Sequence, residues 1–331
     1  MESHKSSVLK VVIFFLIGLL FVIGMITYSN ARTDRDGKFV EDEEWMPRSS
    51  DETHKQIEKV FDVKPGGELI IETDEGSITV ETWEKPQVVV KVEMSGDAAE
   101  LGRFKVEFNS GDSGVSVIGK EKRSRFFSWH WQSSDIRFRA KIPINYNASI
   151  NTSGGDVEIS GLHGNVRCET SGGDLKLSSL VGEVHGETSG GEVIIKGVNG
   201  NVRAHTSGGN VEVDSVIGSL NVETSGGEIT LRNVDGKIFG ETSGGSIEAR
   251  LLGENKGIHL ETSGGNVSIY LPKSITGDLE ASTSGGTVKC DLPVMVSGKM
   301  SEDELRGKIN GGGNRIELAT SGGNINIRNR D

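Results

Sequence analysis

Serine, threonine, histidine and acidic side chains recur along this chain at spacings that invite a search for chemistry. The tetrapeptide Thr-Ser-Gly-Gly begins at Thr152, Thr170, Thr188, Thr206, Thr224, Thr242, Thr262, Thr283 and Thr320, with intervals of 18 five times and then 20, 21 and 37. A nucleophilic serine needs a base and an orienting acid at fixed geometry. No histidine and aspartate recur in phase with these serines, so no catalytic residue is assigned. The Thr and Ser hydroxyls are instead expected to satisfy backbone groups at turns.

Metal chemistry is the next possibility. Four residues after each Thr stand polar side chains such as Asp156, Asp174, Glu192 and Asn210, and just before the next Thr stand Glu169, Glu187, His205, Glu223, Glu241 and Glu261. Carboxylates stacked ~4.8 Å apart could share a divalent ion or form a solvated acidic stripe. Calcium-binding rolls require a fixed Asp in a GGxGxDx frame. The frame here is TSGGxVxI, so the stripe is read as solvated. His163, His185, His205 and His259 fall at scattered phases. His185 and His259 share a phase four repeats apart, too far to ligate one ion together. No metal and no cofactor is therefore assigned. Cys168 and Cys290 both fall at apolar phases and are read as core residues about seven repeats apart, beyond the ~7 Å reach of a disulfide.

One segment breaks the acidic texture. Residues 123–131 read RSRFFSWHW and hold four of the 18 aromatic residues. In an extended conformation Phe127, Trp129 and Trp131 share one face. Those rings either close the end of a β-stack or, with Arg123 and Arg125, contact an anionic membrane surface or a glycan. Arg123, Arg125, Phe127, Trp129 and Trp131 are the candidate contact residues.

The elements that carry these residues follow from the repeat. With Thr as position zero, positions +5 and +7 are apolar (Val211 and Val213 after Thr206), and so are +14 and +16 in most copies (Leu220 and Val222). Each pair alternates with polar residues, the period of a strand with one buried face. Glycines at +3 and +12 stand two residues before each strand and mark the corners. One repeat is thus one coil of two short strands. Stacked coils bury a thin continuous core that a single coil cannot form. From Thr152 onward the only aromatic residues are Phe239 and Tyr270, as a narrow interior requires. The predicted fold is an all-β, single-stranded β-solenoid of 18-residue coils, with an N-terminal β cap domain and one N-terminal transmembrane helix. The long later intervals predict loops or an irregular cap.

Residues 11–28, VVIFFLIGLLFVIGMITY, carry no charge. At 1.5 Å per residue such a helix spans ~27 Å, close to the hydrocarbon core of a bilayer. The run is read as a signal anchor following a cytoplasmic tail at 1–10. Cleavage near Ser29-Asn30-Ala31 is the competing reading. Residues 29–57 form a polar linker, 58–151 an N-terminal β domain or cap, and 152–331 the TSGG-repeat solenoid. Within 58–151 the alternation predicts strands including 68–73, 77–83 and 114–118, and residues 68–83 read as early coils of the same kind.

Composition sets outer limits. The 331 residues include 46 glycines and only 6 prolines, and 36 basic against 48 acidic residues leave a net charge of −12. A general nucleic-acid binder needs cations to displace phosphate counterions, so nucleic acid is excluded as a partner. Two cysteines exclude a disulfide scaffold.

FDVKPGGELIIETDEGSITVETW (61–83), KIPINYNASINTSGG (141–155), the repeated TSGGxVxI and GKINGGGNRIELATSGGNINI (307–327) together resemble the adhesin-like, putative-adhesin family of bacterial β-strand-repeat proteins. That is a domain of unknown function also found in membrane-anchored proteins of envelope-stress operons. The likeness covers roughly residues 58–331 and brings no catalytic residues with it. It implies a membrane-anchored protein with its C-terminal part outside the cytoplasm, acting in adhesion, scaffolding or envelope sensing on a cell-envelope, glycan or protein partner. A carbohydrate-binding or carbohydrate-processing β-helix and a calcium-dependent β-roll are the alternatives.

Overall fold

A computed structural model describes residues 53–122, 135–296 and 301–330. The apolar run at 11–28 and the segment 123–134 lie outside these. Among the described residues no helix is long and apolar enough to cross a membrane.

The described chain is all-β apart from one helical turn at Ala98–Leu101, capped by Asp97. Thirteen strands form one sheet and fourteen a second, and through the repeats the two build a solenoid-like stack. Each regular coil gives one strand to each sheet. In the Thr206 coil these are Val211–Ile217 in the first sheet and Leu220–Thr224 in the second. Successive coils pair in parallel and in phase, as Val211 with Ile229 and Leu220 with Ile238. The first sheet also gains a strand at Thr53–Asp62, which begins within the stretch read as linker.

The inward positions are those the alternation marks. Val211, Val213, Val216 and Val222 are wholly buried and Leu220 nearly so, each burial worth about 1.5–3 kcal/mol. Volume is balanced across the thin core. Opposite Leu175 and Leu177 the second sheet offers Gly186, where a Cβ would come within 3.3 Å of a leucine methyl. Cys168 is buried as expected, whereas Cys290 is only partly buried, because its strand Val288–Cys290 lies at the edge of its sheet.

The corners hold the coils together through side chains. The Thr206 hydroxyl, fully buried, donates to Gly191 O at 2.9 Å in the preceding coil and accepts from Gly209 N at 3.2 Å in its own. The same contact to the preceding coil recurs from Thr170 to Thr262. At +3 a side chain has no room: a Cβ on Gly209 would sit 1.9 Å from Gly191 O. The polar +4 positions form a second ladder. Asp156 Oδ1 accepts from Asp174 N, Asp174 Oδ1 from Glu192 N, and Asn210 Oδ1 from Glu228 N. These oxygens are engaged by backbone donors of the next coil.

Both ends of the stack depart from sequence order. The coil formed by Glu68–Thr73 and Ser77–Trp83 pairs in parallel with the Asn147–Thr152 and Val157–Ser160 coil on one side. On its other side lie the later strands Gly114–Glu121 and Asp135–Pro143. Beyond these, Phe104–Gly111, Gln87–Gly96 and Thr53–Asp62 pair antiparallel. At the other end the final strands, Arg315–Thr320 and Ile325–Asn329, sit between the coil of Thr262 and that of Thr283. The 37-residue interval is therefore a skipped level that the C-terminus returns to fill. It also carries Glu304–Ile309, which runs antiparallel to Gly277–Thr283. A parallel edge exposes unpaired backbone groups that invite further chains. Antiparallel strands end both sheets at the first end and the second sheet at the other, where the first sheet ends on the short parallel strand Val288–Cys290.

Candidate functional site

Outward positions of the second sheet form two adjacent columns. Each strand offers position +15 and, two residues on and across one pleat, position +17. The +15 column runs Arg167, His185, Arg203, Asn221, Phe239, His259 and then Glu317, with each residue paired in register to the next. The +17 column is mainly Glu, with His205 interrupting it. A column of cations and rings thus runs beside a column of acids.

A groove of about 720 Å³ follows the +15 column across five coils, lined by Arg167, His185, Arg203, Asn221 and Phe239. Arg167 is paired with Glu169. Arg203 and Lys237, which also line the groove, pair with no carboxylate among the described residues. The Asn221 Oδ1 atom is buried there without a hydrogen-bond partner.

Where the columns meet, two clusters form: Glu169, His185 and Glu187, and Glu241, His259 and Glu261. In the second, His259 Nε2 lies 3.4 Å from Glu241 and 3.6 Å from Glu261, while Nδ1 lies 3.1 Å from Glu317. The Phe239 ring stacks on the imidazole at 5.0 Å and 14°. In the first cluster His185 Nε2 is 3.8 Å from Glu187. Reading each column separately misses these clusters. Their signature is a His-x-Glu on one strand with a Glu one coil earlier.

On the first sheet, Arg250 and Arg328 lie over Tyr270 at 4.9 and 6.0 Å. The Asp214 carboxyl is held below its ordinary value, first by the Ser215 hydroxyl and then by the Asn233 amide. Burial pushes the Cys168 thiol far above the usual range, which removes it as a nucleophile. The candidate contact residues Arg123, Arg125, Phe127, Trp129 and Trp131 lie outside the described residues.

A crystal structure of a putative adhesin from Parabacteroides merdae is 13% identical, with 67% of this chain and 91% of that chain covered and a TM-score of 0.43. One of a putative adhesin from Bacteroides fragilis is 15% identical, with 83% and 97% covered and a TM-score of 0.38. A putative cell adhesion protein from Clostridium sporogenes is 14% identical, with 83% and 100% covered and a TM-score of 0.21. No curated protein matches the chain. The family profile described as Toastrack DUF4097 matches residues 68–328, from the coil that begins at Glu68 to the last strand but without Thr53–Asp62, and the chain belongs to that family.

Proposed function

We propose that this protein is a membrane-anchored, extracytoplasmic module of the cell envelope that acts by binding, in adhesion or scaffolding, and not by catalysis. The observation that carries this reading is the groove along the +15 column. Five consecutive coils present side chains in register, and Arg203 and Lys237 are available to anionic groups. An extended polymer with acidic substituents, such as a cell-envelope glycan, matches a surface that repeats every coil. The uncharged run at 11–28 supports anchoring. Arg123, Arg125, Phe127, Trp129 and Trp131 offer a second contact, to an anionic surface.

The test uses the full chain in detergent micelles and isolated acidic cell-wall polysaccharide. Replacing Arg203 and Lys237 by Ser together should lower binding while the circular dichroism of the β-structure is retained. Wild-type protein that fails to bind the polysaccharide, or a double variant that binds it as well, defeats the groove assignment.

A further inference from the structure

We propose that Glu241, His259 and Glu261 form a binding site for a divalent transition metal ion, with Zn²⁺ the ion whose geometry they fit, and that Glu317 orients the histidine. An ionised carboxylate only accepts hydrogen bonds. Nδ1, 3.1 Å from Glu317 Oε2, must therefore be the protonated nitrogen. In the neutral ring Nε2 then carries a lone pair, and it sits among two carboxylates that also bring only lone pairs. That arrangement of three lone pairs suits a metal ion between them, where a second proton on the ring would instead make an ion pair.

The distances distinguish the cations. An N–H···O hydrogen bond closes to about 2.7–3.2 Å. The Nε2 distances, 3.4 Å to Glu241 and 3.6 Å to Glu261, exceed that range. A tetrahedral ion with bonds of about 2.0–2.1 Å holds its ligand atoms about 3.3–3.4 Å apart. One atom from each residue can be chosen so that all three lie within 4.8 Å of one another. His nitrogen with two carboxylate oxygens is a donor set zinc accepts, with the fourth position left to water or to a partner's side chain. A second carboxylate on the far ring nitrogen is the usual support of a metal-bound histidine. Phe239, stacked on the ring, restricts its rotation. His259 is about one-quarter exposed, so an ion can reach it.

The experiment is a zinc titration of the full, tag-free chain in detergent, stripped with a chelator and competed against a chromophoric one. Wild-type protein should bind one equivalent that is absent from both His259→Ala and the Glu241→Gln, Glu261→Gln pair. His185→Ala should keep that equivalent. Glu317→Gln should retain it with affinity lowered about 10- to 100-fold. Zinc should also raise the melting temperature of wild type and not that of His259→Ala. Equal zinc binding by wild type and His259→Ala, or no binding by either, overturns the site and leaves His259 an ion-pairing residue. Unchanged affinity in Glu317→Gln overturns the orienting role.

Discussion

Glu169–His185–Glu187 and Glu241–His259–Glu261 occupy the same phase of the repeat four coils apart, with different surroundings. His185 has Arg167 and Arg203 as its register neighbours, and Arg167 is already paired with Glu169. His259 has Phe239 on one side and Glu317 on the other. In the first cluster the Arg167 guanidinium already pairs with Glu169, and with Arg203 on the other side it disfavours a further cation there. In the second a ring packs on the histidine and a carboxylate fixes its proton. A repeat sets which residue types can meet, but the neighbours one coil away decide what the meeting does.

The most damaging change would break the core of the coil that lies between the two clusters. Val213 is wholly buried, and Val213→Asp places an unpaired carboxylate in a core one side chain thick. The expected loss is about 4 kcal/mol or more by thermal or denaturant unfolding. Thr206→Val at the corner should cost less, about 1–3 kcal/mol, because Gly191 O and Gly209 N lose a buried partner. A Val213→Asp protein within about 0.5 kcal/mol of wild type, the range of surface changes, would remove the inward assignment.

A smaller effect sharpens the comparison by converting one cluster into the other. Arg167→Phe with Arg203→Glu gives His185 the flanking residues of His259. Zinc stoichiometry of the full chain should rise from one to two. If it stays at one, flanking residues do not explain the difference.

The smallest effect concerns an acid governed by its neighbours on the first sheet. Asp214 titrates below the ordinary carboxylate range because Ser215 and Asn233 donate to its ionised form. Its folded value lies below its unfolded one, so its contribution to stability is present above the unfolded value and is lost as pH falls through the folded one. Asn233 has φ 55°, so Asn233→Gly keeps that backbone while removing the amide. An NMR titration should move the Asp214 midpoint upward, toward an ordinary aspartate. A midpoint that does not move would assign the shift to other groups.

Much of this architecture is legible in the residues. The alternation identifies the strands Glu68–Thr73 and Ser77–Trp83 to the residue, since Leu69, Ile71, Ile78 and Val80 are buried at every second position. The corner role of Thr follows from its recurrence with Gly at +3. The left-handed turn at +9 is less visible. Gly161 and Gly197 hold it in two coils, but Ser179, Ser215 and Asn233 hold it in others, and no single residue type marks it. The six residues of the two clusters are visible singly in the sequence. Their conjunction is not, because it joins positions from adjacent coils and two columns.

The sequence by itself determined the coil: its length, its inward residues, its Thr and Gly corners and the columns on its faces. All of these depend on strand period and local backbone sterics, which act over a few residues. The order of the coils was decided only in the tertiary structure. Every coil offers much the same parallel edge, so the 18-residue period does not specify which coil stacks on which. The choice falls to the ends, where antiparallel strands such as Glu304–Ile309 pair with an otherwise open edge and the last coil fills the level left between those of Thr262 and Thr283. That placement brings Glu317 to His259 across 58 residues of chain, a contact set by stacking order rather than by local spacing.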